Sequence, residues 1–320
     1  MLILILVILL FLGNQPEKPA QNQELGGGPI QEQASLQEIV QEEQTLELPK
    51  FEKTPQLVEN PQADPVLPFT HAALVMEADS GKILFSKNET RKMPIASLTK
   101  IMTAIVVAEN VQDWKADVNI SKKAAFAGGA AVRLKWDEYV DADQLFKAML
   151  MNSDNGAAIA LAEHVTGSTE EFAKLMNQRA KELGANDTLF TEPSGLEDQR
   201  AYSTAYDIAL IAREAIKNPL ITQPMLIKGP VQINSCDGAI THRVGNTNLF
   251  VKDEEFLRLA HRVVGGKTGF TYEAGYCLME AMEDQAGQRK AIGIILNSDK
   301  TMRWYEMEEM IEWSFNNYEW

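Results

Sequence analysis

Strand-like stretches at both ends of the chain enclose a middle that reads as helix throughout, and this order leaves few folds open. Ala72–Glu77 and Lys82–Ser86 are short apolar runs joined by Asp79-Ser80-Gly81, a hairpin turn with glycine where positive φ is needed. A helix is expected over Ser97–Glu109, with Ile101, Ala104 and Ile105 on its inner face. Asp141–His164 reads as a long helical stretch interrupted at Asn152–Asn155. Ser168 with Glu171 forms a capping box for a helix ending near Gly184, and Thr204 with Asp207 does the same for a helix through Ala215. Strands then return at Val231–Ser235, Ala239–Arg243, His261–Gly265, Gly275–Met282 and Lys290–Asn297. A closing helix from about Met302 aligns Trp304, Met307, Ile311, Phe315 and Tyr318 on one stripe. The implied class is α+β: a mostly antiparallel sheet flanked by helices, plus an inserted helical lobe.

The first 68 residues have a different texture. Met1–Gly13 is uninterrupted apolar sequence. As helix it would cover only about 20 Å of a roughly 30 Å hydrocarbon core, so it resembles a signal-peptide core or a short membrane anchor. No basic residue precedes it and no small-x-small cleavage pattern follows it. Residues 14–68 are rich in Gln, Glu and Pro and hold eight of the 13 prolines, which opposes regular structure. This segment is expected to be a solvated spacer, and residues 69–320 the folded domain.

Net charge is −15, which argues against nucleic acid as a partner, since phosphate binding needs a cationic face. Between Asn14 and Pro68 there are ten acidic and three basic residues, so nearly half of the excess lies in the spacer. The two cysteines, Cys236 and Cys277, form no close cluster with the four histidines. No metal site is therefore expected; an exported protein leaves a disulfide between the two cysteines open, and free, partly buried thiols are the favoured expectation. No cofactor is implied.

Three polar motifs carry the chemistry: Ser97-Leu98-Thr99-Lys100, Ser153-Asp154-Asn155 and Lys267-Thr268-Gly269. A serine hydroxyl needs a base within hydrogen-bond reach, and Lys100 shares a helix face with Ser97. Helix onset there aims free N–H groups at a developing oxyanion. Burial and a second cation, with Lys267 the candidate, would depress the Lys100 pKa. Ser153 can relay a proton to a leaving amine, and the Asn155 amide can orient Lys100 and a substrate carbonyl. Lys267 and Thr268 offer a cation and a hydroxyl to a carboxylate. Gly269 allows close backbone approach, and the Phe270 N–H can complete an oxyanion hole. Each motif alone also reads as an ordinary cap, loop or turn. In this order and company they suit attack by a serine on an amide whose neighbour carries a carboxylate.

Through about Phe69–Phe315 the chain resembles the D-alanyl-D-alanine carboxypeptidase family, the low-molecular-mass penicillin-binding proteins. The likeness extends to Pro94–Thr103, Asn155 through His164, Pro193-Ser194-Gly195-Leu196, Tyr202–Ala205, Asn246-Thr247-Asn248 and Lys267–Thr271 with Ala274-Gly275-Tyr276. The resemblance implies a β-lactamase/transpeptidase-like fold with a five-stranded sheet. It also implies an acyl-enzyme on Ser97, peptidoglycan stem peptides ending in D-Ala-D-Ala as substrate, and β-lactams as covalent inhibitors. An extracytoplasmic location follows, with membrane contact through the N-terminal segment.

Departures from the family pattern bear on the reading. Glu192 stands where members often carry Asn before the Pro-x-Gly-Leu element; a carboxylate there can touch the site or be solvated, and as a loop residue it is expected to be solvated. Near Asn297-Ser298 the chain lacks the basic residue that some members use for the terminal carboxylate, so recognition is expected to rest more heavily on Thr268. The short plan after Phe315 also resembles the endopeptidase branch, which cuts cross-links. A class A β-lactamase needs a Glu-x-x-x-Asn element, but the fourth position after Glu192 is Leu196. A non-catalytic β-lactam sensor is a third reading, opposed by the intact set of catalytic side chains.

Overall fold

The computed structural model describes residues 54–129, 132–253, 256–257 and 261–320. Met1–Gly13 and most of the expected spacer lie outside these residues. Among the described residues no helix is long and apolar enough to cross a membrane.

Five antiparallel strands form the main sheet in the order Ile83–Lys87, Ala72–Glu77, Lys290–Ser298, Gly275–Glu283, Arg262–Thr271. The first and last segments of the fold thus meet at its centre, as strand-rich ends around a helical middle require. Ala72–Glu77 is buried along its whole length because both faces of the sheet are covered. Period-two alternation divides its side chains. Ala73 and Val75 face the closing helix Met302–Asn317, packing with Trp304, Met307 and Ile311. Ala72, Leu74 and Met76 face the opposite core, with Ile101, Ile105 and Ile208.

The inserted lobe surrounds the helix Thr99–Asn110, in which every residue from Thr99 to Val107 is buried. Such a helix is buried on all sides because it sits at the centre of the lobe, not at its edge. Around it pack Ala142–Met151, Asn155–Thr166, Thr169–Glu182 and Ala205–Ala215. Both expected capping serine/threonine oxygens act as caps: Ser168 accepts from Glu171 N–H (3.2 Å) and Thr204 from Asp207 N–H (3.0 Å). Neither box is reciprocal. Glu171 pairs with Lys174, and Asp207 accepts from Asp187 N–H and Thr188 Oγ1, so both carboxylates are committed elsewhere.

Three expectations need correction. Val231–Asn234 and Thr241–Val244 form a separate two-stranded hairpin outside the main sheet. The strand expected to end at Gly265 runs on to Thr271, so Lys267-Thr268-Gly269 lies within it; the glycines that weaken a strand signal here permit close packing. Residues 54–68 are not all solvated spacer. Gln56–Leu57 pairs with Tyr318–Glu319, Val58 N–H donates to Asn317 O (2.9 Å), and Leu67 is buried. The proline-rich composition hid this, since an extended edge pairing needs little sequence pattern. Cys236 is exposed and Cys277 buried, and both are free.

Candidate active site

Ser97 sits in a single 3-10 turn, Ala96–Leu98, that leads directly into the helix Thr99–Asn110. Ala96 before it has φ +48°, a left-handed conformation rare for a residue with a Cβ. The turn is locked from outside by Gly195, also left-handed (φ +77°), whose backbone lies against the Ala96 carbonyl. On the other side, Gly269 of the edge strand approaches so closely that a Cβ there would lie 3.2 Å from Ser97 N. The strain at Ala96, beside Ser97, persists because its neighbours over-determine it.

One turn on, Lys100 is fully buried and its Nζ makes three hydrogen bonds. It donates to Ser97 Oγ (3.0 Å), Asn155 Oδ1 (2.6 Å) and the Ser194 carbonyl (2.5 Å). Asn155 is the first residue of the Asn155–Thr166 helix, and its Nδ2 donates to Gly128 O (2.6 Å), which fixes which end of the amide faces Lys100. Asp154 is the cap of that helix: its carboxylate accepts from Ala157 N–H (2.8 Å) and Val132 N–H (2.9 Å). The polar break in the helical pattern thus has two functions. Its middle residue starts a helix, while Ser153 before it (φ +62°) and Asn155 after it project toward Ser97 and the edge strand.

On the edge strand, Lys267 is buried and its Nζ donates to Ser153 Oγ (2.7 Å) and Thr268 O (2.8 Å). Thr268 Oγ1 and Thr247 Oγ1 are hydrogen-bonded at 2.7 Å, and Thr247 N–H is tied to Met151 O (2.9 Å). Ser97, Ser153, Asn155, Thr268, Gly269 and Phe270 line one open cleft of about 310 Å³. Lys100 and Lys267 lie beneath it, reaching it through Ser97 and Ser153. All eight residues singled out from the sequence are therefore brought together. A larger groove, about 470 Å³, opens beside Trp136 and Cys236 and contains none of them.

Burial lowers the Lys100 pKa to about 8, against the opposing charges of Glu192 and Asp154. The expected influence of a second cation falls on the other lysine. Lys267 is pushed well below the usual lysine range by burial first, then by Lys100 and Arg303. Two buried ammonium groups sharing one site disfavour each other, which adds to the burial that lowers the Lys267 pKa.

Glu192 is not a solvated loop carboxylate. It accepts hydrogen bonds from Ser194 N–H (2.8 Å), Ser194 Oγ (2.6 Å), Leu196 N–H (3.0 Å) and Gly195 N–H. Pro193 has no N–H, so the next three backbone donors are free to converge on the carboxylate, an anion-binding nest closed by the chain's own side chain. The turn so formed presents the Ser194 carbonyl to Lys100.

Sequence reasoning also missed Arg303, near the start of the closing helix. Its Nη1 donates to Cys277 O (3.1 Å) and Gly269 O (3.4 Å), its guanidinium lies over the Tyr276 and Trp304 rings, and it reaches the cleft wall. An arginine in a helix rich in glutamate reads as a surface residue, so no local signal marks it. Thr247 and Ser194 were visible only as parts of family motifs, without a role.

Comparison with known proteins adds an independent line. Residues 62–300 match a family model described as D-alanyl-D-alanine carboxypeptidase. The chain is 32% identical over 253 residues to D-alanyl-D-alanine carboxypeptidase DacF of Bacillus subtilis, covering 78% of this chain and 62% of that protein. It is 34% identical over 211 residues to the D-alanyl-D-alanine endopeptidase of Escherichia coli, covering 65% of each. The chain thus spans just under two thirds of the length of these relatives. Penicillin-binding protein D2 of Listeria monocytogenes, solved in its ampicillin-bound form, superposes with a TM-score of 0.66 at 29% identity, covering 78% of this chain and all of that one.

Proposed function

The chain belongs to the D-alanyl-D-alanine carboxypeptidase family, and from that premise we propose that it is a serine DD-peptidase acting on peptidoglycan stem peptides ending in D-Ala-D-Ala. The observation that carries the reading is the buried Lys100 amine, held 3.0 Å from Ser97 Oγ by Asn155 and the Ser194 carbonyl. In its neutral form Lys100 takes the hydroxyl proton as Ser97 Oγ bonds to the carbonyl carbon of the penultimate D-Ala. The Ser97 and Phe270 N–H groups receive the oxyanion. Collapse breaks the C–N bond, and the departing amine of the terminal D-Ala gains a proton relayed from Lys100 through Ser153. Water then attacks the acyl ester, Lys100 again serves as base, and Ser97 recovers its proton.

The terminal carboxylate is assigned to the Thr268–Thr247 hydroxyl pair, with Lys267 and Arg303 supplying positive potential beneath it. A β-lactam presents the same amide-and-carboxylate pairing and should acylate Ser97. Because the substrate lies on the wall side, the domain is assigned an extracytoplasmic location, with Met1–Gly13 as export signal or short anchor. The deciding experiment is intact-mass spectrometry after exposure to a labelled penicillin, together with D-Ala release from a pentapeptide. One adduct on the peptide holding Ser97, and no D-Ala release by Ser97→Ala, are expected; equal turnover in both proteins would end the serine mechanism.

A second reading is endopeptidase cleavage of cross-links, favoured by the 34% identity to a protein of that name. Comparing a cross-linked muropeptide dimer with the pentapeptide separates the two by relative turnover.

A further inference from the structure

Glu192 departs from the Asn common at its position, and its carboxylate has been drawn into the site's framework. It accepts from three successive backbone N–H groups and from Ser194 Oγ, forming the inner ring of the 192–196 turn. That turn is clamped to the nucleophile helix at three points. Thr103 Oγ1 donates to Pro193 O (2.6 Å), Lys100 Nζ donates to Ser194 O (2.5 Å), and Gly195 rests on the Ala96 carbonyl. Ser194 is fully buried, so its carbonyl has no water to replace Lys100.

We propose that Glu192 is a positioning residue for acylation: an anionic anchor that fixes the Ser194 carbonyl against Lys100 and thereby sets the pH at which Lys100 becomes available as a base. The proposal rests on the reading of Lys100 as the base for Ser97. Glu192 does not touch substrate; it acts through the turn and through its charge.

The charged groups around Lys100 come from three directions. Glu192 lies on the 192–196 turn, Asp154 caps the neighbouring helix, and Lys267 stands on the edge strand with Arg303 behind it. Asp154 is committed to two backbone N–H groups and Lys267 to Ser153 and Thr268. Glu192 is thus the charge at Lys100 that can be neutralised without removing a helix cap or a cleft cation. The two carboxylates favour the charged form of Lys100, and burial opposes them. A neutral residue at position 192 should free the base at lower pH, while a slackened turn should lower the limiting rate.

The test is the second-order rate of penicillin acylation from pH 6 to 9.5 for the full chain and for Glu192→Gln, Glu192→Asn and Glu192→Asp. Both neutral variants should displace the acid limb to lower pH. The ratio of the rate at pH 6.5 to the plateau should rise ~3- to 10-fold, the scale expected when one nearby opposite charge is lost. Glu192→Asp, which keeps the charge, should retain the wild-type limb with a lower plateau. Superimposable limbs in all four proteins would overturn the proposal, as would neutral variants that fail to fold while Glu192→Asp folds, since the charge would then serve stability alone. Failure of the underlying reading looks different: Lys100→Ala would acylate with an unchanged acid limb.

Discussion

Replacing Gly195 by alanine separates the geometric requirement of the site from the general cost of a strained backbone. Gly195 has φ +77°, and a Cβ there would fall 2.6 Å from the Ala96 carbonyl carbon, closer still to its oxygen, and 2.9 Å from Thr99 Oγ1. Two costs follow. Holding an L-residue in the left-handed region costs about 1–2 kcal/mol, and the overlap with backbone about 1–3 kcal/mol more. The sum, about 2–5 kcal/mol, corresponds to a fall in Tm of roughly 4–20 °C for a domain of this size. Gly184→Ala is the matched control. Gly184 has φ +83°, but a Cβ there meets only Leu210 Cδ1, at 3.8 Å. It bears the conformational cost without the overlap, so Tm should fall by about 2–8 °C. The catalytic consequence should differ far more than the stability. The overlap in Gly195→Ala is relieved only by moving the Ala96–Ser97 turn, the 192–196 turn, or both, and each carries a partner of Lys100. A displacement near 1 Å at a reacting centre costs on the order of 100-fold in rate. Penicillin acylation should therefore fall about 100-fold in Gly195→Ala and stay within about twofold of wild type in Gly184→Ala, measured at a temperature where both are folded. Equal acylation rates in the two variants would refute the argument that the 192–196 turn positions the nucleophile.

Two further outcomes follow from the buried ionisable groups. With the Lys100 pKa at about 8 and its neutral form acting as base, acylation should rise with pH, about tenfold from pH 7 to pH 9; a flat profile over that range would exclude Lys100 as the titrating base. Glu280, fully buried with one oxygen on Asn248 Nδ2 (2.6 Å) and the other unpartnered, has its pKa raised well above the usual range, chiefly by burial. The folded state therefore keeps a proton that the unfolded chain loses near pH 4.5, so its contribution to stability is full below that pH. It is lost as pH rises toward the folded pKa, by ~1.4 kcal/mol per unit. Glu280→Gln should unfold at a higher temperature than wild type at pH 8 and at a similar one at pH 4.5, and a gap that ignores pH would refute the assignment.

What the sequence made legible, and what it hid, divides along a physical line. The side chains proposed to do chemistry could be read directly by type: a serine with a lysine one turn away, a polar break in an apolar helix, a lysine-threonine-glycine run. Their convergence follows from the α+β order, because the first strand and the last pair at the centre of one sheet and bring its edge beside the first helix. The hidden contributors act through the backbone, and backbone atoms are the same in every residue. Asp154 reads as part of a catalytic motif but works as a helix cap; Ser194 contributes its carbonyl, not its hydroxyl. Glu192 looked like a loop carboxylate because the three N–H groups that enclose it carry no sequence signature beyond the proline that follows. Arg303 was invisible for the opposite reason, a charged side chain committed to two carbonyls and two rings on a helix that otherwise looks solvated. The Ser97–Lys100 pair is thus specified by letters, while the distance between its members is specified by a turn whose key atoms have none. For that reason the role proposed for Glu192 rests on the turn it anchors, since Glu192 does not line the cleft.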